Sequence, residues 1–284
     1  MSASVTMRDA HQRDRTMPLI RHAGLFEKLY HKYNRRRFVH PDPLEFVYRY
    51  ENPADREVVG LIAASLAFGN VKQILTSVDG VLSRMTDHPG RYVFDASPAE
   101  MQRRFADFVH RIWAGRELAG LLIGMRRAIR RYGSLGRCFA AFDGRETVVR
   151  ALRHFVAELN SFGAGKSGSL LPDPGKGSAC KRLHLYLRWM VRKDRVDPGG
   201  WNAVPPAKLI VPLDTHMHRI GLALQATRRK SADITTAMEI TAAFRRVRPE
   251  DPVRYDFALT RLGIRDDADL EAFLGSCQAG GGNA

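Results

Sequence analysis

Apolar residues along this chain recur at the spacing of amphipathic helices, and no alternation of useful length marks a strand. Leu25 to Tyr33 reads as a short helix, followed by Arg35-Arg36-Arg37 and broken at Pro41 and Pro43. Glu51-Asn52-Pro53 reads as a turn. Asp55 to Ala67 then carries Val58, Val59, Leu61, Ile62 and Leu66, too many apolar groups for a surface helix, so the pattern predicts a core helix that ends at Gly69-Asn70. Val71 to Met85 is amphipathic, with Val71, Ile74, Leu75, Val78, Val81 and Leu82 in register, and His88-Pro89-Gly90 closes it.

The helical spacing continues. Pro98 opens a helix expected to include Phe105, Phe108, Val109 and Ile112. Glu117 to Tyr132 sets Leu118, Leu121, Leu122 and Met125 on one face and Arg126, Arg127, Arg130 and Arg131 on another. Thr147 to Leu159 is a further helix. Ser161 to Ser178 is dense in Gly, Ser and Pro, and leads into a helical pattern from Ala179 to Arg192. After a loop rich in Gly and Pro, helices are expected near Thr215 to Leu224, Thr236 to Arg246 and Asp251 to Leu262, with Gly263 as a C-cap. Thr236 and Glu239 have capping-box spacing. The sum is an all-α protein of about ten helices, in one domain or two small lobes, with polar tails at residues 1–20 and 266–284. Without a strand to precede a Gly-rich loop, a dinucleotide-binding or P-loop reading has no support.

Charge adds a partner class. The 284 residues carry 45 Lys and Arg against 30 Asp and Glu, a net charge of +15. Thirty-six of the cations are Arg and nine are Lys, a ratio that a GC-rich genome accounts for. The net excess needs another reason, and it points to a polyanion: DNA, RNA or an anionic membrane surface. No run of about 18 uncharged apolar residues occurs, so no membrane span is expected. Met1 to Thr16 lacks the apolar stretch of a secretory signal, which makes the expected compartment the cytoplasm, at the nucleoid if the charge is used on DNA. Cys138, Cys180 and Cys277 are odd in number and far apart, which disfavours a disulfide framework, a four-cysteine zinc site and an iron–sulfur cluster.

Three segments in the C-terminal half carry candidate chemistry. The first is Leu170-Leu171-Pro172-Asp173-Pro174-Gly175-Lys176-Gly177-Ser178, a tight glycine-rich turn that leads directly into a helix. Such a turn presents backbone amides to a phosphate; the same residues also serve as a plain interhelix loop. The second is Lys181 in the first turn of that helix. A Lys there has the wrong sign for the helix dipole, a setting that suits an amine nucleophile; a solvated surface Lys is the plainer reading. The third is Asp214, where an apolar approach ends and Thr215-His216-Met217-His218-Arg219 begins a helix. Asp214 can cap that helix and face a cleft at once. His216 and His218 are two positions apart on a helix, about 200° around it, and so are poorly placed to share a metal.

These segments, from the Gly-rich turn through Lys181 to Leu213-Asp214-Thr215-His216-Met217-His218-Arg219, resemble the helix–hairpin–helix DNA glycosylase superfamily of the endonuclease III type. Its last motif typically reads Val-Asp-Thr-His-Val-x-Arg. The stretch from Lys181 to Asp214 is longer than in endonuclease III and closer to the archaeal 8-oxoguanine glycosylase branch. The turn departs from the Leu-Pro-Gly-Val-Gly pattern, and the iron–sulfur loop is missing. With Leu66-Ala67-Phe68-Gly69-Asn70 and Tyr255-Asp256-Phe257-Ala258-Leu259, the chain looks most like the bacterial family of domain of unknown function 2400, over roughly residues 40–265.

The resemblance implies a two-lobed helical bundle across residues 21–265, acting as a monomer on double-stranded DNA in base-excision repair. It implies a turn, Gly175, Lys176, Gly177 and Ser178, that grips phosphates through its amides, helped by a monovalent cation on its carbonyls and by His216 and Arg219. No other cofactor is required. Lys181 would form a Schiff base with the sugar, which adds AP lyase to glycosylase activity, with Lys176 as the second choice of nucleophile, and Asp214 would orient or deprotonate the nucleophile and stabilise the cationic sugar; if neither lysine reaches the cleft, the expectation is a glycosylase without lyase activity in which Asp214 activates water. Phe68, with Asn70 beside it, would fill the stack left by a flipped base; a core position for Phe68 is the competing expectation. Trp189 and Trp201 are candidates for base stacking, with the core the favoured place for Trp189. Arg35–Arg37, Arg126–Arg131 and Arg228-Arg229-Lys230 are candidate phosphate contacts. The alternative to an enzyme is a non-catalytic helical module that binds DNA or structured RNA with the same charge.

Overall fold

The computed structural model describes residues 17–142, 144, 146–160, 170–265 and 269–279. It is mostly helical, with more helices than the ten or so that the spacing predicts, because short helices follow turns read from the sequence as plain loops. The chain divides into two compact units. Among the described residues, a terminal unit takes those up to Asn34 and from Pro206 onward, and a central unit takes those between Arg35 and Pro205.

The terminal unit opens with α1 (Met17–Arg21) and α2 (Ala23–Tyr33). The first tail expected from the sequence therefore already includes helix, with Leu19 buried; residues 1–16 lie outside the described residues.

In the central unit, α3 (Pro53–Leu66) is the core helix that its composition predicts, started by Pro53 and capped by the Asn52 side chain on the Ala54 amide. It is followed by α4 (Val71–Leu82), α5 (Pro89–Asp95) and α6 (Pro98–Arg104). The expected continuation of α6 to Ile112 does not form. Phe105 and Phe108 are buried while Val109 and Ile112 face solvent, so their helical spacing does not mark one face. Instead β1 (Val109–His110) and β2 (Trp113–Ala114) make an antiparallel hairpin, Val109 opposite Ala114 and His110 opposite Trp113. Next come α7 (Gly115–Tyr132), α8 (Leu135–Ala140), α9 (Val149–Asn160) and α10 (Lys181–Val191). Helix α10 packs on α3 at Gly60, where an added Cβ would lie 3.2 Å from Met190 Cε. Beyond α10, Asp197 is fully buried between two arginines: Arg188 Nε is 3.1 Å from Oδ1, and Arg192 pairs with Oδ2. The buried Glu57 carboxylate ties α3 to α8 and to the loop after α10, accepting hydrogen bonds from the Leu135 amide (2.9 Å), the Gly136 amide (3.1 Å) and Trp201 Nε1 (2.7 Å).

The terminal unit resumes with α11 (Thr215–Ala223), α12 (Ile234–Val247), α13 (Asp256–Leu262) and α14 (Leu270–Ala279). Its core gathers on Phe26, whose ring meets Phe244, Tyr255 and Phe273 at 5.6, 5.4 and 6.3 Å between centroids. The expected C-terminal tail thus supplies a packed helix, with Leu270, Phe273, Leu274 and Cys277 buried. Helix α12 starts two residues before Thr236 and is capped by Asp233, not by the Thr236–Glu239 box. Thr236 donates to the Ser231 carbonyl instead, and Glu239 accepts from Thr227. Among the described residues no helix is long and apolar enough to cross a membrane.

Candidate nucleic-acid interface

The Gly-rich turn is held by Asp173. Its carboxylate accepts from the Gly175 amide at 2.7 Å and its carbonyl from the Lys176 amide at 3.1 Å, closing a short 3-10 turn over Pro174–Lys176. Gly177 follows at φ +78°, a left-handed conformation that favours glycine. Ser178 Oγ accepts from the Cys180 amide at 3.2 Å. The turn therefore spends the Gly175 and Lys176 amides internally, where its composition suggests that they face a phosphate. Gly175, Lys176, Gly177 and Ser178 all remain exposed. Residues 161–169, the first half of the low-complexity stretch, lie outside the described residues.

Helix α10 begins at Lys181, two residues later than the pattern predicts, because Cys180 takes a left-handed φ of +46°. Lys181 is its first residue, half-buried. Its neighbour Arg182, which no sequence motif singles out, joins three segments. It donates to the Ser65 carbonyl and, at 3.1 Å, to the Leu170 carbonyl, while its guanidinium lies 4.7 Å from the Trp113 ring centroid. Burial pulls its pKa down to about 10.

Phe68 is not in the core. It stands in the loop between α3 and α4, 48% exposed, its ring 5.7 Å from Trp113 and 5.2 Å from the Arg111 guanidinium. Trp113 is itself buried and stacks on His110 at 5.8 Å and 17°. His110 is anchored by Ser77 Oγ at 2.8 Å, and burial holds its pKa below the usual histidine value. Arg111 forms the hairpin tip at φ +55°, an uncommon conformation for a long side chain, and Gly69 opposite it is at φ +104°. Beside them Val109 and Ile112 are 71% and 75% exposed. An aromatic and two β-branched residues thus protrude together around one arginine. The β-hairpin was invisible in the sequence because two-residue strands leave no periodicity. Asn70 is exposed, and its carboxamide oxygen caps α4 by accepting from the Lys72 amide at 2.9 Å.

In the terminal unit, Asp214 caps α11 by accepting from the Met217 amide at 2.8 Å, and it is half-buried. His216 packs against Gly263, where a Cβ would meet its Nδ1 at 2.4 Å. His218 shares a 2.8 Å hydrogen bond with the Arg229 carbonyl. Arg219 is exposed and paired with Glu271. Lys181 and Asp214 therefore belong to different units.

Several other candidates have structural work. Trp201 is buried with its indole on Glu57, which removes it from base stacking, and Trp189 is fully buried. Arg130 donates to the Phe94 carbonyl, Arg131 pairs with Glu158 at 2.9 Å, and Arg229 pairs with Asp233 at 2.6 Å. Arg36 and Arg37 lie over the rings of Tyr48 and Phe38. Arg228 and Lys230 are exposed. Among the described residues no group of three His, Cys, Asp or Glu side chains could hold a metal ion.

A family model described as "Protein of unknown function (DUF2400)" matches residues 42–265. No curated protein and no solved structure matches the chain.

Proposed function

We propose, for a chain that belongs to the DUF2400 family, that it binds duplex DNA and excises a base as a glycosylase of the helix–hairpin–helix kind. The observation that carries this reading is Phe68: a large ring held outside the core, braced from behind by Trp113 and flanked by Arg111. Such a ring inserts between base pairs and takes the place of an extruded nucleotide, while a chain of charge +15 supplies the phosphate attraction. Lys181 is the nucleophile. Its amine nitrogen attacks the sugar C1′, the bond from C1′ to the base breaks, and the base leaves with the electron pair and takes up a proton. Loss of the amine proton and opening of the sugar ring give the Schiff base. Loss of the C2′ proton then expels the 3′ phosphate, and hydrolysis of the imine frees the lysine. Asp214 supplies the negative charge that favours the cationic sugar.

Borohydride reduction of the protein on duplexes carrying a panel of base lesions or an abasic site tests this. The expected result is a covalent adduct, lost in Lys181→Ala and greatly reduced in Asp214→Asn. No adduct and no released base on any duplex overturns the enzymatic reading.

A non-catalytic binding module is the second reading, favoured by the hydrogen bond from the Met217 amide to Asp214, since a helix cap alone accounts for that carboxylate. On this reading duplex or structured RNA is bound with a steep salt dependence and Asp214→Ala leaves binding intact. Competition of duplex DNA against structured RNA at fixed salt separates the two nucleic acids.

A further inference from the structure

Helix α9 turns Ala151, Leu152, Phe155, Val156 and Leu159 to the core and leaves Arg150, Arg153 and His154 exposed. His154 lies one helical turn after Arg150 and next to Arg153, so the three share one surface. The His154 ring stacks on Phe142 at 4.9 Å and 15°, and Phe142 meets Tyr132 edge-on at 6.1 Å. Arg131 lies over Tyr132, 5.2 Å from its centroid. At the other end the Arg153 guanidinium reaches the Gly-rich turn, its nitrogens 3.5 Å from where a Gly175 Cβ would stand, beside the exposed Lys176. Among the described residues the acidic groups nearby are Glu158, paired with Arg131, and the exposed Glu146 and Asp173, the last engaged in capping the turn.

We infer that this surface is a track for an unpaired nucleic-acid strand running from the Gly-rich turn along α9, with a base stacked on His154 and phosphates against Arg150, Arg153 and Lys176. The exposed His154 is covered on one face by Phe142, and a base on its other face extends the stack. Rings of this kind flanked by cations are how single strands are held without sequence preference. The inference rests on the reading that the chain binds nucleic acid, and it adds that the preferred substrate carries a single-stranded segment beside its duplex.

Fluorescence anisotropy on a blunt duplex, the same duplex with an oligo-dT overhang at either end, and the same duplex with an abasic overhang tests it. One overhang duplex is expected to bind about tenfold tighter than the blunt one, and the abasic overhang, which keeps its phosphates but offers no ring, loses most of that gain. His154→Ala removes the gain and leaves blunt-duplex binding unchanged, while His154→Phe keeps it. Arg150→Ala and Arg153→Ala each flatten the salt dependence of overhang binding by about 0.7 in log–log slope. Equal binding of blunt and overhang duplexes, or a gain that survives His154→Ala, overturns the track and leaves the duplex reading standing. Failure to bind any of these nucleic acids removes both.

Discussion

The Arg111 guanidinium lies over the Phe68 ring, its carbon 5.2 Å from the ring centroid, so the tip of the β-hairpin and the loop between α3 and α4 form one protrusion. Phe68 gains little for folding from a position 48% exposed. Phe68→Ala is therefore expected to change stability by less than about 1 kcal/mol. It should abolish the rise in 2-aminopurine fluorescence that the native protein causes in a duplex carrying the probe beside a lesion. An unchanged fluorescence rise in the variant removes Phe68 from the wedge role. Phe68→Trp, which keeps a flat ring, should retain the rise.

Gly69 shapes the same protrusion. Its φ of +104° lies where side chains are strained, and a Cβ there would stand 2.8 Å from Arg111 Cδ. Gly69→Ala is expected to cost about 1–2 kcal/mol and to move Arg111 off Phe68. All three tryptophans, Trp113, Trp189 and Trp201, lie in the central unit. Urea titration followed by their emission therefore reads this cost. A midpoint equal to the native one would show that the loop relaxes without strain.

Most helices were legible because each buries one apolar stripe; α7 and α4 follow their predicted faces closely. What stayed hidden was short or decided at a distance. Pro89 closes one helix in the sequence pattern but also starts α5, since proline fits the first helical turn. The side of the backbone on which Phe68 falls was undecidable locally, because burial depends on Trp113 and Arg111 far along the chain. Trp201 read as a stacking candidate because its partner, Glu57, lies across the central unit. Asp214 was legible as a cap because capping is a local hydrogen bond, and Lys181 was legible at the helix head for the same reason of short range.

Glu57 serves several donors at once, so its loss should be severe. Glu57→Ala leaves the Leu135 and Gly136 amides and the Trp201 indole without their acceptor in a buried site. A cost of about 3–5 kcal/mol is expected, measured as the fall in the tryptophan-detected urea midpoint. Glu57→Gln keeps one carbonyl oxygen and should lose less. A Glu57→Ala protein as stable as the native one would mean that water replaces the carboxylate.

Stability of the central unit should fall in mild acid because of His184. Its side chain is buried, and neither ring nitrogen has a hydrogen-bond partner among the described residues. Burial pulls its pKa from 6.5 to about 4. The unfolded chain therefore takes up a proton near pH 6.5 and the folded chain only near pH 4. The stabilisation is complete above about pH 6.5, is lost progressively as the pH falls toward 4, and levels off below that. The swing is about 3 kcal/mol. His184→Leu should remove this component of the pH dependence while leaving stability at pH 7 equal or higher, because no hydrogen bond is lost. Urea midpoints between pH 7 and pH 4 for both proteins decide it.

Asp214 offers the cleanest separation of folding from chemistry. Its carboxylate accepts from the Met217 amide at 2.8 Å as the cap of α11. Asparagine caps helices about as well as aspartate, whereas alanine does not. Asp214→Asn should therefore leave the calorimetric midpoint within experimental scatter, and Asp214→Ala should cost about 1 kcal/mol. The charge of the carboxylate is lost in both. If that charge stabilises a cationic sugar, both variants should lose base release by at least about 100-fold, the stable Asn variant as completely as the less stable Ala variant. Loss that tracks stability, with Asn active and Ala impaired, would assign Asp214 to capping alone and shift the weight to the binding-module reading.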